Sequence, residues 1–376
     1  MLDLYREHEA HLHPYGDPQR GLLVPMVFEH VELEYAAVRK GCALVDLPQS
    51  GTIEVTGADR LDFLNNLLTQ ELKGLEPMRS VRSFWLNRKG RIDADLRLLD
   101  MGQEDGQRLH MATDALVAGK TAEALAEFVF AEDVTLTDAT ESMHRLALHG
   151  PRAAQTVMSV ADTDEHVGLE PGRAMTVMIA GTSVLVERED SAGELGLVLT
   201  MPTSAARRVY ERLAAVDGVR PCGWMAYNIA RIEAGWPLFQ IDFTGDNLPA
   251  ETGVLHDRVS FTKGCYLGQE VVARMQSLGK PKQVLAALRL AEGQDPRLPE
   301  ERAEIFAQAD SDKPIGTVTS STIAPMLSAT PIALAQVRTA HADAGATLFV
   351  LAEGVRTAFE VQPQLASWPA VEASSS

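Results

Sequence analysis

The sequence predicts an α+β protein whose C-terminal end is all β. Up to about residue 280, helical and strand-like hydrophobic periods follow in irregular order, without the strict strand-helix alternation of a parallel sheet. Beyond the Pro-, Gly- and charge-rich stretch LAEGQDPRLPEERAE no long helical period appears, only short β-like segments. With 376 residues, 45% of them hydrophobic, the chain can bury two or three domain cores.

In order along the chain, FEHVELEYAAVRK has helical spacing and stops at Gly41 before the strand-like CALVDL. TIEVTG alternates as a strand, and Gly57 or Asp59 caps an amphipathic helix expected over residues 60–72. VRSFWLNRKGRIDADLRLLDM reads as two strands joined at NRKG. TDALVAGKTAEALAEFVF follows as a helix, then VTLTDAT and MHRLALHG as strands. Residues 173–200 alternate as strands around turns at Gly181 and Gly193. PTSAARRVYERLAAVDGV is a helix closed by Gly218, and PCGWMAYNIARIEAGWP a second. The expected domains are 1–280, a β-barrel at 281–365, and a disordered tail at 366–376.

Charge and cysteine usage narrow the function. Against 34 basic residues stand 52 acidic ones, a formal charge of −18, which argues against a sequence-independent grip on nucleic acid or anionic membrane. Cys42, Cys222 and Cys265 are odd in number and far apart, which fits a reducing compartment better than a disulfide or zinc framework. The N-terminus lacks signal-peptide order and no apolar run is long enough to span a bilayer, so the expected location is cytoplasmic.

Three groups of residues invite chemistry. Cys265 stands in FTKGCYLGQEVVARM, beside Lys263 and just before an expected helix N-terminus, two features that favour a thiolate; Gly264 and Gly268 permit a turn and close backbone approach. The alternative is a small core residue. In NIARIEAGWPLFQIDF, Glu233 is a half-exposed surface residue, is paired with a neighbour such as Arg231, or is a carboxylate accepting two parallel hydrogen bonds from a flat heterocycle such as a pterin. The basic run Arg79, Arg82, Arg88, Lys89 and Arg91 is either a charged strand edge or, with Arg258, Lys263, Arg274, Lys280 and Lys282, a cradle for ligand carboxylates. His8, His11 and His13 have only loose metal-like spacing, and no metal is expected.

KGCYLGQEVVAR closely resembles the K-G-C-Y-x-G-Q-E signature of the YgfZ family of folate-dependent iron-sulfur proteins, matching at every signature position. GCALVDLPQSGTIEVTGADRLDFLNNLLTQEL, RLALHGPRAAQTV, ARIEAGWPLFQIDF and IGTVTSSTIAPMLSATPIALAQV resemble successive segments of the wider glycine cleavage T-protein (aminomethyltransferase) superfamily, so that the likeness covers roughly residues 28 to 362. It implies a three-lobed ring around a central channel for tetrahydrofolate, with the C-terminal barrel as one lobe. It also implies Glu233 as the pterin contact, with Arg231, Tyr266, Gly264, Gly268, Gln269 and Arg274 as further folate-site residues, and Lys263 and Cys265 as the pair that sets the YgfZ-like proteins apart.

One departure bears on activity. T-proteins carry a D-D-L that serves transfer to folate; here GRIDADL puts Ala94 at the first aspartate and Asp95 at the second, with Asp93 displaced by one. Strand alternation sets Asp93 and Asp95 on one face and Ala94 on the other. The resemblance therefore implies a tetrahydrofolate-binding accessory protein that supports assembly or repair of iron-sulfur clusters, its partners being folate and the client enzymes or assembly machinery. The alternative is a folate-dependent aminomethyl or methyl transferase with Asp95 as acid/base group.

Overall fold

The computed structural model of the chain describes residues 1–16, 21–102, 106–162 and 169–367, apart from the side chains of 276–278. Most of the expected tail therefore falls outside the described residues. The chain divides into two compact units. The first comprises Met1–Leu67, Leu72–Ser83 and Ala94–Asn228; the second comprises Leu68–Glu71, Phe84–Asp93 and Ile229–Ser376.

In the first unit a six-stranded sheet runs in the order Ala174–Ile179, Thr182–Arg188, Gly196–Pro202, Met143–His149, Cys42–Asp46 and Val219–Cys222. Neighbours are antiparallel except the last pair, which is parallel. The helix Thr203–Ala214 buries Ala206, Val209, Tyr210 and Leu213, a stripe at helical spacing, in the same core as Leu44, Leu148 and Leu199 of that sheet. A second sheet runs in the order Ser80–Leu86, Ile92–Asp100, Arg108–Asp114, Ser50–Thr56 and Thr135–Asp138.

The second unit is built on a closed barrel of six antiparallel strands, in the order Gln283–Leu290, Thr330–Arg338, Gly316–Ala324, Glu304–Phe306, Thr347–Ala352 and Val355–Val361. Closure leaves no unpaired strand edge. The Pro- and charge-rich stretch lies between the first barrel strand and Glu304–Phe306, so it is a long loop within the barrel.

One helix ends early. The segment expected as a helix over 60–72 stops as Arg60–Leu67. Thr69 donates its main-chain N–H to Phe84 O at 3.1 Å, and the Asn65 side chain accepts from Leu72 N at 2.9 Å. Tertiary hydrogen bonds thus replace the last helical turn, and they matter for the site.

Candidate functional site

In the second unit the residues around Cys265 are held by reciprocal close packing. The turn after Leu86 closes with Gly90 donating to Asn87 O at 2.9 Å, and Gly90 sits at φ +72. A Cβ there would lie 2.6 Å from Val271 Cβ. Gly268, at φ +82, immediately precedes the helix Gln269–Leu278, and a Cβ on it would lie 3.0 Å from Asn87 O. Each glycine lets its own segment approach the other, so the NRKG turn and the start of the helix form one piece. Gly264 does not share this role: a Cβ there would meet nothing within 4 Å, which corrects the pairing of Gly264 with Gly268 as sites of close approach.

Lys263 is buried, and its Nζ donates to Leu68 O at 2.7 Å and Gln70 O at 2.8 Å, the carbonyls freed where the Arg60–Leu67 helix gives way. It also lies 5.4 Å from the centroid of the Tyr266 ring. Tyr266 is itself buried, and burial pushes its hydroxyl up to about 12. With residues 263 and 266 turned inward, Cys265 between them is exposed. Gln269 opens the helix half-buried, and Arg274 lies on its exposed side. The other two thiols are buried: burial raises Cys42 to about 11 and lifts Cys222 well above the ordinary thiol range.

Arg231 serves the interior of the second unit. It pairs with Asp242, and its Nη2 bonds Ser320 Oγ at 2.6 Å. Ser320 and Thr319 donate in turn to Asp242 Oδ1 at 2.7 and 2.8 Å. The R-x-E-x-G-x-x-x-x-x-x-D spacing therefore encodes an ion pair between its first and last members, a partner the sequence reading did not assign. Glu233 is 0% exposed, which removes the half-exposed helix reading. Its Oε1 accepts Met326 N–H at 3.3 Å, longer than usual for a charge-assisted hydrogen bond.

Asp95 belongs to the first unit. Its carboxylate is mostly buried and lies 4.0 Å from Arg82, whose guanidinium also pairs with Glu189. Arg97, two residues on, pairs with Glu189 and with Glu187, the latter at 2.9 Å. Burial alone would raise the Glu189 carboxyl, but Arg82 and Arg97 outweigh it and hold it down to about 2. The basic run of the sequence thus divides: Arg82 is built into this ion-pair layer, while Arg88, Lys89 and Arg91 sit in the NRKG turn region. Ala94 is buried, and Asp93 is exposed and accepts from Asn87 Nδ2 at 2.9 Å. Glu189 and Arg97 carried no sequence signal beyond alternation; only sheet packing brings them together.

The chain belongs to the glycine cleavage T-protein family: residues 1–263 match the family described as GCVT N-terminal domain, and residues 283–365 the Glycine cleavage T-protein C-terminal barrel domain. Its fold is that of the glycine cleavage system aminomethyltransferase T from Bartonella henselae, which it matches at a TM-score of 0.85 over 98% of each chain, with 22% sequence identity. An aminomethyltransferase of Thermoanaerobacter sp. (strain X514) is 26% identical over 92% of this chain and 90% of its own length. One of Bacillus velezensis is 27% identical over 97% and 98%. No described helix is long and apolar enough to cross a membrane.

Proposed function

We propose that the protein binds tetrahydrofolate and supports the assembly or repair of iron-sulfur clusters in client enzymes. The observation that carries this reading is the exposed Cys265 on a loop anchored from within by Lys263. Loss of the first acidic residue of the transferase pair to the buried Ala94 supports it further, because aminomethyl transfer relies on that pair. Glu233 suits a pterin: it is a desolvated carboxylate holding a long hydrogen bond, which the ring's amino and N–H donors could replace with shorter ones. Tetrahydrofolate would supply a one-carbon carrier, while Lys263 fixes the loop and Cys265 presents a soft nucleophile.

A second reading has its own support. Asp95 keeps the second acidic position beside Arg82, and the relatives bear the name aminomethyltransferase, which favours a folate-dependent aminomethyl or methyl transferase. The relatives named above are called aminomethyltransferases, which speaks for transfer and not for iron-sulfur clusters. Glycine-cleavage turnover with a lipoylated carrier and tetrahydrofolate separates the two: robust turnover overturns the first reading, whereas absent turnover together with restored client activity in cells lacking the protein upholds it.

A further inference from the structure

The first unit contains an opening that neither reading uses. Its two sheets meet across the charged layer of Arg97, Glu187 and Glu189, then across an apolar layer of Leu99, Ala174 and Leu185. Farther along the strands lies a cleft of about 500 Å³. Its lining includes Met78, Met101, Met143 and Met201, four of the chain's 13 methionines, together with Arg108 and His110. Asp95 lies six residues before Met101, about 20 Å away at strand rise.

Thioethers are polarizable, adapt to irregular shapes and make favourable contacts with aromatic rings. The polar side of the cleft is formed by Arg108 and His110. Arg145 is buried close to His110, and its guanidinium is held by neutral acceptors, Ser50 Oγ at 3.1 Å and Gly51 O at 2.7 Å. Arg108 is 42% exposed and lies 3.1 Å from Glu54. His110 is buried with Nδ1 lacking a partner, and its Nε2 is 3.6 Å from Glu54. Burial, then the charge of Arg145, pushes His110 down to about 4 against the pull of Glu54, so the imidazole is neutral at physiological pH. Arg145, off the lining, is offset by Glu187 and Glu189, so the groups an acidic ligand meets are the part-exposed Arg108 beside Glu54 and the buried His110 Nδ1 without a partner.

We propose that this cleft is a second ligand site, taking a small flat aromatic anion whose ring lies against the methionines and whose acidic group faces Arg108 and His110. The probe for the test is 8-anilinonaphthalene-1-sulfonate, an aromatic anion, titrated by fluorescence into the full chain. Thr176 and Ser183 line the cleft from exposed positions, so Thr176→Trp and Ser183→Trp fill it without disturbing the core. The proposal expects one saturable site, weakened at least about tenfold in either tryptophan variant, and several-fold in Arg108→Gln. Unchanged thermal melting of the variants assigns the loss to the cleft rather than to unfolding. Calorimetry with saturating 5-formyltetrahydrofolate should leave probe binding intact. Absence of a saturable site, equal affinity in the tryptophan variants, or displacement by the folate each overturns it, the last by making the cleft part of the folate site.

Discussion

The Lys263 ammonium is held by the Leu68 carbonyl oxygen at 2.7 Å, at the point where a helix expected to continue to residue 72 has already ended. The Gln70 carbonyl, at 2.8 Å, completes the clamp. The early helix end therefore has a local consequence: the Leu68 carbonyl, which a helix reaching residue 72 would have turned to Leu72 N–H, instead accepts from a lysine of the signature loop. Lys263→Met should leave these carbonyls without their buried donor and destabilise the protein by about 1–3 kcal/mol per carbonyl. Urea unfolding checks this; unchanged stability would mean that water replaces the ammonium without loss.

Cys265 should be the first thiol modified. It is exposed, whereas Cys42 and Cys222 are buried and burial raises both, so their thiolate fractions near neutral pH are negligible. Limiting iodoacetamide followed by peptide mapping should show label on Cys265 alone until denaturant is added. Early label on either buried cysteine would contradict the packing around it.

The glycines around the signature loop should differ in their tolerance. Gly90→Ala combines a positive φ with a Cβ 2.6 Å from Val271 Cβ, and Gly268→Ala combines a positive φ with a 3.0 Å approach to Asn87 O. Each should cost more than about 1 kcal/mol. Gly264→Ala, with open space around its Cβ, should be nearly neutral. Thermal melts of the three variants provide the check; a large loss at Gly264 would point to a constraint that its surroundings do not contain.

Much of this was legible in the sequence, and the exceptions share a cause. Periodicity located most strands of the two sheets, the all-β end and the helix after Cys265, because each buries one face in a local pattern. It missed the strands Arg108–Asp114 and Val219–Cys222, whose ends at Thr113–Asp114 and Pro221–Cys222 fall within the spans expected as the helices that follow. It could not foresee that Arg60–Leu67 stops early, since Thr69 and Leu72 are claimed by Phe84 and Asn65, neither of which a helical period takes into account. The same holds at the site. Lys263, Gly268 and Cys265 announced themselves as a contiguous signature, but Arg231 looked like a ligand contact because its partner, Asp242, lies 11 residues away and Ser320 is 89 away. Ion pairs formed between sheets, such as Arg97 with Glu187, leave no mark on local spacing.

Glu233 offers a direct test of the folate reading. Glu233→Gln keeps the size and one acceptor oxygen, so Met326 N–H retains a partner, but it removes the charge. Tetrahydrofolate affinity should fall by about 1.5–3 kcal/mol, the range for a hydrogen bond to a charged group. Calorimetry on wild type and variant measures it. Equal affinities would assign Glu233 to packing alone.

The charged layer beside Asp95 predicts a defined acid lability. Glu189 is held down to about 2 against an ordinary 4.5, so the folded state prefers its carboxylate more strongly than the unfolded chain does. A depressed folded value contributes stability that is fully present above the unfolded pKa and is lost as pH falls through the folded one. The contribution should therefore be intact at pH 7, begin to fade near 4.5, and vanish near 2, with a size on the order of 3 kcal/mol. His110 and His149 add their own loss between 6.5 and about 4, because both are buried neutral and resist the proton that the unfolded chain accepts. Wild-type stability alone cannot separate these effects, but Glu189→Gln can. The gap between wild type and variant in urea unfolding should stay constant from pH 7 to about 5 and close steadily below 4.5. A gap that began to close near pH 6 would assign the lability to the histidines, and no gap at pH 7 would mean that Arg82 and Arg97 lose nothing when the carboxylate is removed.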